Sequence, residues 1–264
     1  MTNNEPQKVA AVTGATGAIG KAIALQLARQ DYIVVLIARD PLKSAQAVKS
    51  IQDKTNNLSV TYKIADLSRK TSIQSLADAW EQPLDALINN AATTPIDRQF
   101  TPEGIELQFA TNVLGYFWMT RSFTHILAKN APARVINVAS YWAGGMDLSD
   151  LEFERRTYHN HDAYRQSKQA NRMLTPVFAD LLKEYDITVN ACHPGDVNSA
   201  LSNNLGFGGS QSPSAGARTP VWLATAPELA GITGKYFEDQ KERRCQFSSQ
   251  KEEAASLFEI CSSY

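Results

Sequence analysis

Tyr164-Arg165-Gln166-Ser167-Lys168 sets a phenol and an ammonium four residues apart, which on a helix puts both side chains on one face. A free tyrosine hydroxyl, with a pKa of about 10, is a poor base at neutral pH, and a nearby ammonium favours the phenolate and draws it toward a working range. Hydride transfer to a carbonyl builds negative charge on its oxygen, so a proton donor and a second hydrogen-bonding group must converge there. Tyr164 is the candidate donor, Lys168 its partner, and Ser140, at the end of an apolar run, the candidate group to hold the oxygen. A Tyr-x-x-x-Lys pair alone is common on helix surfaces and specifies nothing. Ser140 lacks the Gly-x-Ser-x-Gly elbow of a hydrolase nucleophile.

A second constellation lies near the N-terminus. Thr13-Gly14-Ala15-Thr16-Gly17-Ala18-Ile19-Gly20 sits between a short apolar strand and an amphipathic helix. Glycines there let the backbone turn tightly and approach a pyrophosphate, and the helix N-terminus supplies free N–H groups. Gly14, Thr16, Gly17, Ile19 and Gly20 are the candidate contacts. The end of the second strand reads Ala38-Arg39-Asp40. An acidic residue at such a strand end binds a ribose 2′-hydroxyl, a basic one a 2′-phosphate. Arg39 offers a planar fork and Asp40, one step on, should point elsewhere, so NADP(H) is expected over NAD(H).

These groups need a scaffold, and the hydrophobic pattern supplies one. Strands are predicted at Lys8–Val12, Tyr32–Ala38, Ser59–Ala65, Leu84–Ile88, Arg134–Val138, Ile187–Ala191 and Gly234–Phe237. Between them, helical patterns cover the stripe Ile19, Ile23, Leu27, then Leu42–Gln52, Thr71–Trp80, Gly104–Lys129, Ala163–Glu184 and Arg218–Thr225. The run Tyr32–Ala38 is continuously apolar, as in a strand buried on both faces. Strand and helix in alternation predict an α/β fold with a doubly wound parallel sheet flanked by helices. Ser199–Gly216, rich in Ser, Asn and Gly, breaks the rhythm and reads either as a surface loop or as a lid over a substrate pocket. Tyr116-Phe117-Trp118 reads as packing or an oligomer surface, and Tyr141-Trp142 as an apolar substrate wall.

Composition narrows the functional classes. A formal net charge of −1 with scattered Lys and Arg leaves no footprint for nucleic acid or anionic membrane. No apolar run reaches the roughly 18 residues of a membrane span, and the polar stretch Met1–Lys8 is too short for a signal peptide. Cys192, Cys245 and Cys261 form neither a disulfide framework nor a metal motif, as expected of reduced thiols in a cytoplasmic protein. His125, His159, His161 and His193 lack ligand spacing, so no metal is expected. Asn57-Leu58-Ser59 matches a glycosylation sequon by chance.

Taken together, the glycine loop, Asp66-Leu67, Asn89-Asn90-Ala91-Ala92, Asn112, Ser140, Tyr164 with Lys168, and Pro194-Gly195 resemble the short-chain dehydrogenase/reductase family in order and spacing. The resemblance implies a single Rossmann-type domain over residues 1–264, with a substrate loop near 199–216. It implies that Asp66 and Leu67 flank an adenine, that Asn90 and Ala91 line the cofactor, and that Pro194, Gly195, Val197 and Ser199 lie along the nicotinamide. Lys168 would bind the nicotinamide ribose while lowering the Tyr164 pKa, and Asn112 would complete a tetrad by supporting a proton-relay water. Asp147–Arg156, Tyr164–Asn171, His193-Pro194-Gly195 and Val221–Phe237 look most like the retinol dehydrogenase and WW-domain oxidoreductase branch. The glycine spacing departs from the commoner TGxxxGxG, since Ala18 takes the middle position and Gly17 precedes it, a pattern more like epimerases and dehydratases.

The expected activity is NADP(H)-dependent hydride transfer between nicotinamide and a small-molecule carbonyl or alcohol, lipophilic by analogy with that branch and retinoid- or steroid-like. A homo-oligomer is a further expectation from the family. The alternatives are a cofactor-sensing NADP(H)-binding interaction protein with little catalysis and an epimerase or dehydratase.

Overall fold

The computed structural model describes residues 6–264, so most of the polar N-terminal stretch, residues 1–5, lies outside it. Seven parallel strands and one antiparallel edge strand form a single sheet in the order β3-β2-β1-β4-β5-β6-β7-β8. They are β1 (Val9–Thr13), β2 (Ile33–Ala38), β3 (Val60–Ile64), β4 (Ala86–Asn89), β5 (Ala133–Val138), β6 (Ile187–His193), β7 (Tyr236–Glu238) and β8 (Lys241–Arg243). The winding direction reverses between β1 and β4, which pair in parallel, and such a reversal opens a crevice beyond the strands' carboxyl ends.

The helices are α1 (Ala18–Ala28), α2 (Pro41–Thr55), α3 (Lys70–Asp78), α4 (Gly115–Ala128), α5 (Asn160–Leu182), α6 (Ala200–Asn204), α7 (Pro213–Thr225) and α8 (Lys251–Ser263). Alternation along the strands divides the core. Ala10, Val12, Val34 and Leu36 pack under Ile23 and Leu27 of α1, Ile51 of α2 and Val221 of α7. Val9, Ala11, Val35 and Ile37 face the other layer, built on Ile73 of α3, Phe117 and Phe123 of α4, Phe178 of α5 and Leu257 of α8. Continuously apolar strands such as β2 follow from burial on both faces.

Several elements differ from the sequence expectation. The segment 199–216 is not a single loop. Ser199 caps α6 in a reciprocal pair with Ser202, and Ser212 caps α7, which starts at Pro213, five residues before the predicted start. The predicted helix 104–129 begins later, and its first turn, Phe109–Leu114, is wound wide, with the Gly115 N–H reaching the Ala110 carbonyl. Both β8 and α8 went unread in sequence. Tyr116, Phe117 and Trp118 are buried within this chain, which makes them packing residues. The Asn57 side chain is buried too, donating to the carbonyls of Ala28 (3.0 Å) and Tyr32 (2.9 Å), which is a structural use of that amide. Among the described residues no helix is long and apolar enough to cross a membrane.

The C-terminal helix α8 carries Ala254, Leu257 and Cys261 inward, at helical spacing, onto α5 and α4, where Phe258 meets both Phe117 and Phe178 edge-on. Leu257 is fully buried. Leu257→Ala should therefore cost about 2–5 kcal/mol through lost burial and the cavity it leaves. Urea unfolding would read this as a lower midpoint with an unchanged slope.

Candidate active site

The phosphate-loop candidates fold where the sheet reverses. Gly14 follows β1 with φ +64°, and a Cβ there would sit 2.7 Å from the Ala91 Cα, so no larger residue allows the two strand ends to approach. The Thr13 hydroxyl accepts the N–H groups of Asn90 (2.8 Å) and Ala91 (3.0 Å), and the Asn90 amide donates to the Thr13 carbonyl (2.8 Å). Asn90 is thus tied to the protein through its side chain, and Thr13, which sequence reasoning passed over, is the staple. Helix α1 opens at Gly17 with no side-chain cap among the described residues, and its first intrahelical bond runs from the Lys21 N–H to the Gly17 carbonyl (2.9 Å).

Above this turn lies a cavity of about 310 Å³. Gly14, Thr16, Gly17, Ile19, Gly20, Arg39, Asp66, Leu67, Asn90, Ala91 and Ser199 all line it, together with Ala92, Thr93, Thr111, Ala200 and Leu201. A side chain built on Gly17 would meet only the Gly14 carbonyl, at 3.3 Å, so the cleft wall here is bare backbone. Uncapped N–H groups at a helix start facing such a wall suit the pyrophosphate of a dinucleotide, and the residues present fit that group. Arg39 is exposed at the end of β2, while Asp40 caps α2 by accepting the Lys43 N–H at 3.0 Å. The carboxylate beside Arg39 is therefore turned into the helix.

A smaller cavity, about 50 Å³, adjoins the first and shares Ile19, Ser199 and Leu201 with it. It is lined by Ser140, Tyr164, Pro194, Gly195 and Val197, and also by Tyr141, Trp142, His193, Asp196, Ser202 and Phe207. Strand β5 delivers Ser140, β6 delivers Pro194 and Gly195, and α5 brings Tyr164 across from the other layer. The Ser140 hydroxyl accepts the Trp142 backbone N–H (3.0 Å) and faces the same cavity as the Tyr164 phenol.

Lys168 and Asn112 line neither cavity. The Asn112 amide is fully engaged: its oxygen accepts the Thr93 N–H (2.8 Å), and its nitrogen lies within reach of the Thr93 carbonyl, Gln108 and Ser167. Through these side-chain bonds it anchors the loop after β4. Lys168 lies behind Tyr164, 5.6 Å from that ring and 5.3 Å from the Tyr116 ring, and donates to the Val138 carbonyl at 2.9 Å.

The expected depression of the Tyr164 pKa is not found. Burial pushes the phenol up to about 12, outweighing the lowering effect of Ser140, and burial also brings the Lys168 ammonium down to about 7. Taking both groups out of water disfavours the charged form of each.

Of the residues missed in sequence, Leu201 and Phe207 fell in a segment without periodicity, where only the strand-end location hinted at a site. His159 and His161 lie outside both linings, although His161 packs edge-on against Trp142 at 5.4 Å.

The fold and the two joined cavities define a Rossmann-type α/β protein with a Ser-Tyr-Lys set at the strand ends. A family profile for short chain dehydrogenases matches residues 8–207, and the chain belongs to that family. It is 36% identical to human retinol dehydrogenase 13 over 95% of this chain and 82% of that protein. It is 36% identical to mouse retinol dehydrogenase 12 over 89% and 79% respectively. Among solved structures, a Mycobacterium paratuberculosis protein superposes with a TM-score of 0.80 at 26% identity, covering 97% of this chain and 94% of that one. Pseudomonas aeruginosa RhlG, determined as an NADP active-site complex, gives 0.70 at 25% identity, with 87% and 93% covered.

The Lys168 shift has a consequence for stability. Its folded pKa lies below the unfolded value of about 10.4, so between about pH 7 and 10 the unfolded chain holds a proton that the folded chain has released. Stability relative to a Lys168→Met variant should rise with pH across that window, with a slope approaching ~1.4 kcal/mol per pH unit. Urea unfolding of both proteins at several pH values would check it, and parallel curves would contradict it.

Proposed function

We propose that the protein is an NADP(H)-dependent carbonyl reductase of the short chain dehydrogenase family. The observation that carries this reading is the placement of the Tyr164 phenol beside Ser140 in a small cavity that opens onto the dinucleotide-sized cleft. A protonated phenol is the state needed to give a proton to a carbonyl oxygen.

The cofactor would be held by the backbone of Gly14–Gly20 at its pyrophosphate, by Asp66 and Leu67 near its adenine, and by Pro194, Gly195, Val197 and Ser199 toward its nicotinamide. When bound it supplies the hydride. The chain's own residues do the rest. Ser140 hydrogen-bonds the carbonyl oxygen, Tyr164 protonates it, and Lys168, bound to the Val138 carbonyl, ties α5 to β5 behind the phenol. Asn112 keeps the loop carrying Ala91 and Thr93 in place. The NADP(H) preference rests on Arg39, exposed at the strand end, and on Asp40 being engaged as a helix cap. The similarity to proteins named retinol dehydrogenases supports lipophilic carbonyl or alcohol substrates. A non-catalytic cofactor sensor would have no use for the assembled Ser140, Tyr164 and Lys168.

Tyr164→Phe should lower NADPH-dependent aldehyde reduction by about 10²–10⁴-fold while leaving NADPH binding, read by fluorescence titration, within a few-fold. Unchanged turnover in that variant would falsify the assignment. Arg39→Ala should raise the KM for NADPH by about 10- to 100-fold, the worth of a charge-assisted hydrogen bond, with little effect on NADH. Equal losses for the two cofactors would remove the basis for the NADP(H) preference.

A further inference from the structure

Phe207 and Trp142 close the small cavity. Trp142 is held from several sides. Its backbone N–H donates to the Ser140 hydroxyl, and its ring lies 5.4 Å from His161 and 6.0 Å from Tyr164 and meets Phe207 edge-on at 5.2 Å. The Phe207 ring is held less firmly, with Trp142 its one aromatic contact among the described residues, although the residue's own backbone N–H donates to the Ser202 carbonyl. It lies on the connection between α6 and α7, flanked by Gly206 on one side and Gly208-Gly209 on the other, and is 46% exposed although its ring lines the cavity.

The dimensions make this contact decisive. About 50 Å³ beside Tyr164 is far below the roughly 300 Å³ and more of pockets that take drug-sized ligands. A ring-bearing carbonyl compound with its oxygen at Ser140 and Tyr164 meets the Trp142 and Phe207 rings that line this space. The Trp142 ring is packed among His161, Tyr164 and Phe207, whereas Phe207 has Trp142 as its aromatic neighbour among the described residues and is about half exposed, so Phe207 is the wall that yields. Displacing it exposes the Trp142 ring, and the group that best replaces one aromatic partner of an indole is another aromatic ring, because edge-to-face and offset contacts depend on the ring quadrupole. A saturated ring of equal size would fill the volume but lose that term.

We infer that Trp142 and Phe207 are the specificity-determining pair of this site, and that they select carbonyl compounds carried on a flat aromatic body that takes the place of Phe207 against Trp142. The inference rests on the reductase reading above and adds its substrate class.

The test compares three probes with NADPH: propanal, benzaldehyde, and cyclohexanecarbaldehyde, a saturated counterpart of similar size. The quantity read is the ratio of kcat/KM for benzaldehyde to that for cyclohexanecarbaldehyde, so that differences in intrinsic reactivity cancel between the native chain and its variants. Trp142→Leu should lower that ratio about tenfold, mainly through the KM for benzaldehyde, and Trp142→Phe should restore most of it. Phe207→Ala should raise kcat/KM for both ring aldehydes about fivefold and leave propanal within about twofold, since the exposed Phe207 is a barrier only to bulk. A ratio unchanged in Trp142→Leu, or a Phe207→Ala variant in which propanal moves in step with the ring aldehydes, overturns the inference while the reductase reading stands. Failure of the native chain to reduce any of the three overturns both.

Discussion

The two halves of this protein are joined at the polar contact between the ends of β1 and β4. The Thr13 hydroxyl takes two backbone N–H groups from the neighbouring strand end, and the Asn90 amide returns a bond to Thr13. Each such bond contributes only about 1 kcal/mol net, but leaving any of these buried groups unpaired would cost more. The contact also fixes the distance at which Gly14 passes Ala91 and thereby the angle at which α1 leaves the sheet. The cleft floor and the bare wall at Gly17 follow from that approach.

The second half of the site depends on burial. Tyr164 and Lys168 sit on one helical face, yet neither gains its charge from the other in this molecule, because both have left water. Lys168 gives an N–H to the Val138 carbonyl, at the end of the strand that leads into Ser140. One side chain therefore ties α5 to β5 and brings the phenol and the hydroxyl into one cavity. The cost of burying this lysine is accepted for geometry, and geometry is what a proton donor at a developing oxyanion requires.

Legibility in the sequence followed the strength of the local signal. The central parallel strands were readable because β1, β2, β4 and β6 are mostly apolar runs bounded by turn residues, and β2 announced burial on both faces, whereas the edge strand β3 reads Val-Thr-Tyr-Lys-Ile and was placed by the alternation of elements. The glycine loop was readable because its residue types have few other uses after a buried strand. Helix α8 carried a helical spacing at Ala254, Leu257 and Cys261, but its amphipathic face is narrow and charged residues dominate its first turn. Helix α6 has five residues, too few for any period to register, and its existence depends on the Ser199–Ser202 cap. Thr13 gave no signal at all, since a threonine at a strand end is ordinary until its partner strand is known.

The sequence alone determined the class of fold and the residue types available for chemistry: hydrophobic periods dictate which faces are buried, and the spacing of Tyr164 and Lys168 dictates a shared helical face. Only the tertiary structure decided the protonation each group carries and the room a substrate finds. A pKa is set by desolvation and by partners distant in the chain, and the Trp142–Phe207 wall exists only because β5 and the turn after α6 end at the same place. Neither property is local, so neither is written in any stretch of residues short enough to read.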